Sequence, residues 1–177
     1  ILLRTQGSSP EGDMPLLQSM DLSTGKLNTL WHCTPPFYET VIEMIDPVKG
    51  TFLTSRESTT ETPNFYLRDL KKAAPVGLPL TSFKDPYPQL EGITKIKVSY
   101  KREDNIDLTG DLYLPKDYTA TKNGPLPVII WAYPREYKSA ADAAQVRGSK
   151  FTFTRLNWGS PIYWVTQGYA VLDNAEM

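Results

Sequence analysis

Residues Leu126–Ser149 read LPVIIWAYPREYKSAADAAQVRGS. The apolar run 127–133 has the length of a strand, and such an uninterrupted run is typical of strands covered on both faces of a mostly parallel sheet. It ends at a Tyr-Pro corner followed by Arg135 and Glu136, whereas buried strands more often leave through a Gly or Asn turn. A tyrosine and a charged pair at this exit mark the segment as a candidate functional site.

Downstream residues predict two helices and a second buried strand. Ser139 can cap a short helix through AADAAQV, because alanine has the highest helix propensity. Ser160 is a candidate N-cap with Pro161 at the first helical position, and Gly168 lies where a glycine stop is expected. The run YAVLDNA, 169–175, then predicts another strand. Together with two extended segments upstream, this pattern indicates the start of an α/β domain.

The first half of the chain follows a different pattern. Up to about residue 90 it consists of short apolar segments separated by turns such as STGK and DPVKG, which predicts antiparallel meanders. A sandwich, a barrel and a propeller blade all fit this pattern. A proline-rich and glycine-containing stretch is the best boundary. We predict antiparallel strands over 1–83, a linker over 84–93 and the α/β part over 94–177.

Composition excludes several classes of partner. The chain has 177 residues, 40% hydrophobic and 22% charged, with a net charge of −1. This charge gives no reason to expect nucleic acid or an acidic membrane as partner. The single cysteine cannot form an intrachain disulfide, and no apolar run has the length of a membrane span. Because the chain starts inside an apolar run and stops on a finished strand, we expect an internal piece of a longer polypeptide.

Several stretches resemble the prolyl oligopeptidase superfamily of serine peptidases, and most closely its glutamyl endopeptidase-like branch. They are GSSPEGDMPLL, TSRESTTETPNFYLRDL, LTSFKDPYPQL, KVSYKREDNIDLTGDLYLP and GPLPVIIWAYPREYKSAADAAQVRGS. The resemblance implies a mixed β and α/β fold, in which the end of a β-propeller leads into the N-terminal part of an α/β-hydrolase domain. The turn REDNID departs from the Asp-Gly turn that is more frequent in the family, but Asn105 tolerates the left-handed backbone of such a turn.

The catalytic triad of such a peptidase is absent from this sequence. A nucleophile elbow, G-x-S-x-G, needs glycine two residues before and two residues after the serine. No serine of the chain has both glycines, and Ser9 has Gly7 before it but Glu11 after it. The single histidine, His32, lies in the strand-rich half beside Trp31, and we interpret it as structural. The chain alone is therefore expected to be inactive.

The resemblance assigns a role to the tyrosine at the strand exit. In the superfamily, a tyrosine after this strand donates its hydroxyl to the oxyanion of the tetrahedral intermediate, and Tyr133 matches it. Its alternative role is that of an ordinary aromatic residue at a strand end. Cleavage after glutamate requires a basic group near the scissile bond, and the candidates are Arg135, Lys138 and Arg147. For these, pairing with nearby acids or exposure to water is the alternative.

Other charged and aromatic groups receive structural interpretations. The acids of REDNID lack the spacing of a calcium loop, so we predict a solvated turn and no metal. Lys95, Lys97 and Lys101 alternate along one strand, which indicates a polar outer face or an exposed edge protected by charge. Three further aromatic residues are expected to pack in the core or against a neighbouring domain: Trp158, Tyr163 and Trp164.

The expected function follows from the resemblance. The full-length protein would be a serine peptidase that cleaves peptide bonds by a Ser-His-Asp mechanism, with cleavage after glutamate as one preference, and without a metal or organic cofactor. Its partners would be a peptide substrate and the remainder of its own polypeptide, and the isolated piece could form oligomers through uncovered apolar surface. Two alternatives stay open: a non-catalytic β-rich binding module and an esterase on the same fold. The compartment is not indicated; a periplasmic or secreted location is expected if the source is bacterial.

Overall fold

The computed structural model describes residues 1–10, 12–72, 77–132, 138–143 and 146–176. The chain divides into two compact units: the first comprises Ile1–Pro86 and Arg147–Phe153, and the second comprises Tyr87–Val146 and Thr154–Met177. The chain therefore leaves the first unit, returns to it for seven residues and leaves it again. By sequence position these seven residues fall within the predicted α/β part.

Antiparallel sheets build the first unit. Its strands in chain order are β1 Leu2–Thr5, β2 Ser8–Ser9, β3 Gly12–Asp13, β4 Leu16–Met20, β5 Leu27–His32, β6 Tyr38–Asp46, β7 Thr51–Glu57, β8 Asn64–Asp69 and β9 Leu78–Pro79. They form a three-stranded sheet in the order β1-β4-β5, a four-stranded sheet in the order β6-β7-β8-β9 and a β2-β3 pair. Neighbouring strands are antiparallel throughout these sheets, as the turn-separated apolar segments predict.

A buried ion pair lies inside the four-stranded sheet. Phe52 and Leu17 are almost fully buried, and Trp31 meets Phe52 edge to face with 5.7 Å between ring centroids. The guanidinium of Arg68 binds the carboxylate of Glu39 in bidentate fashion, with Nε–Oε1 at 2.8 Å and Nη2–Oε2 at 2.6 Å. The buried hydroxyl of Thr54 also donates to Glu39. These side chains come from three adjacent strands, so the pair ties β6, β7 and β8 together.

The segment Arg147–Phe153 adds backbone hydrogen bonds to the first unit. Gly12 forms an antiparallel bridge with Ser149, and the amide of Asp13 donates to the carbonyl of Gly148 at 2.8 Å. The amide of Phe153 donates to the carboxylate of Glu57 at 2.8 Å. These contacts join the segment to β3 and to the end of β7 within the first unit.

A mixed sheet forms the second unit. Its strands are β10 Thr94–Lys101, β11 Asp107–Leu114, β12 Val128–Ala132 and β13 Ala170–Ala175, in the sheet order β10-β11-β13-β12. The β10-β11 hairpin is antiparallel, β13 is antiparallel to β11, and β12 and β13 are parallel. The helices are α1 Ala120–Asn123 and α2 Ala140–Ala143, with 3₁₀ turns at Pro88–Leu90 and Pro161–Gln167.

The Pro161–Gln167 helix covers one face of this sheet. Its Ile162 and Val165 pack with Tyr113, Val171 and Leu90 in the core. Both predicted ends are present: Ser160 caps the N-terminus, and Gly168 adopts the left-handed conformation after the last turn. The segment is a 3₁₀ helix, where an ordinary helix was predicted. Its β-branched and aromatic residues have modest helix propensity, and the packing against the sheet holds only a short segment.

The apolar strand β12 is more exposed than its composition predicts. Val128, Ile130 and Trp131 are 56, 64 and 54% exposed, whereas Ile129 packs against the core. The prediction of burial on both faces is therefore wrong for this chain. The reason is position: within the described residues β12 lies at the edge of the sheet and pairs with β13 alone.

Two lysines of β10 also differ from their prediction. Lys97 forms an ion pair with Asp111 at 3.3 Å, and these side chains are 18 and 13% exposed. The ammonium of Lys95 lies 5.8 Å from the ring centroid of Tyr113, while Ile96 on the opposite face is 41% exposed. Lys95 and Lys97 thus lie on the covered face, whereas Lys101 at the end of the strand is 61% exposed, as predicted. Carboxylates on the neighbouring strands attract these lysines, and the alternation within a single strand does not reveal such partners.

The aromatic residues around the 3₁₀ helix lie at the surface of the second unit. Trp158 is 99% exposed, and Tyr163 and Trp164 are 42 and 50% exposed. Packing of these side chains in the core of this unit is therefore excluded. Trp164 contacts Tyr169 edge to face at 5.5 Å, which orients its ring beside the start of β13.

Candidate active-site cleft

The carboxyl ends of β12 and β13 meet at one edge of the second sheet. The two strands run parallel, and Val128 lies opposite Ala170. An irregularity between Ile130 and Ala132 shifts the pairing by one residue, so that Ala132 lies opposite Ala175. In open α/β sheets ligands bind outside the carboxyl ends of the strands, where neighbouring connections diverge. This edge is therefore the candidate site of the second unit.

A polar cleft of about 340 Å³ opens at this edge, and we call it the strand-end cleft. Two groups of residues line it. One group comes from the strand ends: Trp131, Asp173, Asn174, Ala175 and Glu176. The other comes from the segment before the 3₁₀ helix and its first residue: Arg155, Asn157, Gly159, Ser160 and Pro161. The cleft therefore combines two carboxylates, a guanidinium, an indole and a neutral amide from each group.

The loop wall of the cleft is held from inside the unit. Thr154 is buried and shares a side-chain hydrogen bond with Tyr113. Leu156 packs against the core, and its carbonyl accepts a hydrogen bond from the hydroxyl of Tyr87 at 3.1 Å. Because the residues on either side are held inward, Arg155 between them is exposed and lines the cleft.

Glu176 lines the cleft directly after the end of β13. It is 7% exposed, and its Oε2 accepts hydrogen bonds from the amide of Thr109 at 2.7 Å and from its hydroxyl at 3.0 Å. The backbone of Glu176 is held too: its amide donates to the carbonyl of Thr109 at 3.1 Å, and its carbonyl accepts from the hydroxyl of Tyr100. Burial is the main cause that raises the pKa of Tyr100, and the negative charge of the nearby Glu176 carboxylate raises it further. The exit of β13 is therefore rigidly fixed to β11.

Asp173 provides a partly desolvated carboxylate. Burial raises its pKa, and the neighbouring charge of Asp111 raises it further. The amide of Asn174 donates to Asp173 at 2.9 Å, and Asn174 itself has φ of 51°, a conformation that asparagine tolerates better than most residues. Asp111 stands opposite Asp173 in the sheet and is paired with Lys97. A row of charges, Lys97–Asp111–Asp173, thus crosses three strands and ends in the cleft.

The residues predicted from sequence are distributed over both units. Tyr133 and Arg135 lie outside the described residues, although β12 ends at Ala132 immediately before them. Lys138 is exposed in the bend before α2. Arg147 is exposed and belongs to the first unit. His32 also lies in the first unit, where its Nδ1 is 2.9 Å from the carbonyl oxygen of Cys33.

The cleft contains residues that sequence reasoning did not select. Arg155, Asp173 and Glu176 carry the charges, and Trp131 carries the aromatic surface. The acids follow an apolar run of strand length, so their position at a strand end is a usable signal. Arg155 has no comparable signal, because its placement depends on the inward anchoring of its two neighbours.

Two findings, on metal sites and on membrane-spanning helices, hold for the described part of the chain. It contains no group of three or more His, Cys, Asp or Glu side chains arranged to hold a metal ion. None of its helices combines the length and apolar character needed to cross a membrane.

Two curated proteins are similar to almost the whole chain. The probable chloroplastic glutamyl endopeptidase of Oryza sativa subsp. japonica is 39% identical over 182 residues, and that of Arabidopsis thaliana is 35% identical over 185 residues. Each match covers 98% of this chain but 19% of the relative. The chain therefore spans about one fifth of the length of these proteins. No protein-family model matches it.

Solved structures share the fold. The ligand-free AtxE2 isopeptidase matches 98% of this chain and 23% of its own with a TM-score of 0.56 and 19% identity. Oligopeptidase B from Leishmania major matches 97% of this chain and 23% of its own, with a TM-score of 0.57 and 11% identity. The predicted fold class is confirmed: antiparallel strands from the end of a β-propeller precede the N-terminal part of an α/β-hydrolase domain. The predicted resemblance is confirmed as well, since the chain is similar to a stretch of the glutamyl endopeptidases and shares the fold of the prolyl oligopeptidase family.

Proposed function

We propose that this chain is part of a longer serine peptidase that hydrolyses peptide bonds by a Ser-His-Asp mechanism. The observation that carries the proposal is the sheet order β10-β11-β13-β12 with a polar cleft where the parallel strands end. The similarity to proteins named as glutamyl endopeptidases supports a peptidase. The serine, histidine and acid would come from the remainder of the polypeptide, and residues 1–83, 84–93 and 94–177 would be the propeller end, the linker and the start of the hydrolase domain.

Tyr133 would stabilise the transition state. It follows directly on Ala132, at the carboxyl end of β12, where the strand-end cleft opens. In acyl transfer the carbonyl oxygen of the substrate becomes negatively charged, and a hydroxyl donor placed in advance stabilises that charge. The adjacent Pro134 restricts the backbone around the donor. A second donor would be the backbone amide after the nucleophile, which lies in the remainder of the protein.

The propeller end and the basic residues would control which substrates enter. A propeller beside a hydrolase domain would restrict access and favour peptides over folded proteins. Cleavage after glutamate would require a cation near the scissile bond, and Arg135 and Arg147 are candidates from the sequence. The proposed partners are thus a peptide substrate and the rest of the same polypeptide.

The decisive experiment uses the full-length protein and a fluorophosphonate probe. Covalent labelling, read by intact mass, together with cleavage of an internal glutamyl peptide, is expected from an active serine peptidase. A labelled protein that cleaves an ester but no peptide would identify an esterase. An unlabelled protein would favour the binding module.

One substitution tests the oxyanion role of Tyr133 directly. Tyr133→Phe removes the hydroxyl and retains the ring, so kcat is expected to fall about 100- to 1000-fold with a small change in KM. Tyr118→Phe is a matched control, since the Tyr118 hydroxyl donates to the carbonyl of Gly124 at 2.7 Å in a loop. Equal kcat for wild-type and Tyr133→Phe enzymes would refute the oxyanion role.

A further inference from the structure

The strand-end cleft has an uneven distribution of charge. Among its described lining residues, Asp173 and Glu176 carry carboxylates on the strand side, and Arg155 carries a guanidinium on the loop side. Glu176 is buried and already accepts two hydrogen bonds from Thr109. Asp173 accepts the amide of Asn174 at 2.9 Å. The carboxylates on the strand side are therefore held in place, and the guanidinium belongs to the loop segment that lines the same cleft.

The position of Arg155 is determined by its neighbours. Thr154 is 8% exposed and shares a hydrogen bond with Tyr113, and Leu156 packs into the core while its carbonyl accepts the Tyr87 hydroxyl. The backbone at Arg155 is therefore anchored on both sides. An anchored backbone lowers the entropy cost of holding a long side chain over a ligand. A guanidinium also has five donors in a planar fork, so it can bind a carboxylate and keep other hydrogen bonds.

The surroundings of Arg155 suit an acidic side chain. Trp131 is half exposed on the strand side and offers an apolar surface to the methylene groups of such a side chain. A second carboxylate placed near Asp173 or Glu176 would be repelled, whereas one placed at Arg155 forms charge-assisted hydrogen bonds. Repulsion by the two acids and attraction to Arg155 would orient an anionic ligand in the cleft.

We propose that Arg155 binds the side-chain carboxylate of an acidic residue in the peptide substrate and thereby determines specificity. This inference rests on the proposed peptidase function, and it names the residue that gives the peptidase its preference for an acidic side chain in the substrate. It differs from the assignments to Arg135 and Arg147, because Arg155 is the arginine that lines the strand-end cleft in the described structure. Arg155 is a specificity residue and takes no part in bond cleavage.

The test compares two internally quenched peptides in the full-length enzyme. They have amidated C-termini and differ only in Glu or Gln at the position before the scissile bond. For Arg155→Met, kcat/KM on the Glu peptide is expected to fall about 10- to 100-fold, the range for loss of hydrogen bonds to a charged group. The value for the Gln peptide is expected to change less than about threefold, because that amide has no charge to neutralise. Arg155→Lys should recover part of the preference, since it restores the charge without the fork.

Arg102→Met is the matched control. Arg102 is an exposed arginine of the second unit, bound to Asp104 at 2.9 and 2.7 Å in the turn after β10. Its removal should leave the Glu-to-Gln ratio unchanged. The Gln peptide serves as the check on folding, because a misfolded Arg155→Met enzyme would lose both activities together. In that case Arg155→Lys is the deciding variant. If its ratio of kcat/KM for the Glu peptide to that for the Gln peptide equals the wild-type ratio, the inference is overturned.

Failure of the inference is separate from failure of the proposed function. A wild-type enzyme that cleaves neither peptide would overturn the proposed peptidase and the inference with it. A wild-type preference for Glu that survives in Arg155→Met would overturn the inference alone. A version of the Gln peptide with a free C-terminal carboxylate distinguishes the source of the anion. A loss confined to this peptide would show that Arg155 binds the chain terminus, and would overturn the side-chain assignment.

Discussion

The buried ion pair of the first unit supports a prediction with a defined magnitude. Arg68 and Glu39 have side-chain exposures of 7 and 5% and are joined by two short hydrogen bonds. The substitution Arg68→Met retains most of the aliphatic volume and removes the charge. It leaves the Glu39 carboxylate buried, with the Thr54 hydroxyl as a hydrogen-bond donor. Breaking such a pair from one side typically costs about 3–5 kcal/mol, because the remaining charge stays desolvated.

The double variant separates the pair from its individual charges. Glu39→Leu combined with Arg68→Met removes both charges, so no uncompensated ion remains in the sheet. The Thr54 hydroxyl keeps an acceptor, since it also lies 3.4 Å from the carbonyl oxygen of Tyr66. Apolar replacement of a buried pair is often neutral or stabilising. We therefore expect the double variant to be more stable than Arg68→Met by about 2 kcal/mol or more.

Native-state hydrogen exchange is the appropriate assay, because it reports on each sheet separately in a protein with more than one unit. Protection of peptides from β6, β7 and β8 gives the local free energy of opening. Lys101→Met is the exposed control: Lys101 and Asp107 are 61 and 60% exposed, and such a pair contributes about 0.2–1 kcal/mol. A loss below about 1 kcal/mol in Arg68→Met, or a double variant as unstable as the sum of its single variants, would refute the reasoning.

Two further predictions concern the first unit. Burial raises the pKa of Cys33 to about 11, so at pH 8 the thiolate fraction of this residue is about one in a thousand. We therefore expect a disulfide reagent to label Cys33 only after denaturation. Rapid labelling of the native protein would contradict this. Gly12 has φ of +102°, and a Cβ there would meet the carbonyl oxygen of Gly148 at 2.3 Å. Gly12→Ala should therefore speed hydrogen exchange of residues 147–153, whereas Gly25→Ala, with φ of +68° but open space around it, should leave that segment unchanged.

Local signals predicted much of the strand pattern. The segments around Tyr38–Asp46 and Thr51–Glu57 were predicted from apolar runs between turns, and they are strands of one antiparallel sheet. Ser160 and Gly168 mark the two ends of the Pro161–Gln167 helix, because capping depends on backbone groups a few residues away. The same residues do not determine the helix type, which depends on packing against the sheet.

Burial and the composition of the site depended on long-range contacts. Lys97 was assigned to an outer face, because its partner Asp111 lies on another strand. The burial of β12 was overestimated, because its sequence does not show which neighbours are present. At the site, the strand end before Tyr133 was predictable from the apolar run. Arg155 was not, since the bond from Tyr87 to Leu156 that helps to position it spans 69 residues.

The return of Arg147–Phe153 to the first unit bears on how the protein can be dissected. A gene truncated after Pro86 would encode a first unit without the strand partner of Gly12 and without the amide that binds Glu57. In topological terms, residues 87–146 are an insertion within that unit. A self-contained version would need a short artificial connection from Pro86 to Arg147, and conventional cloning at the linker would separate residues that fold together.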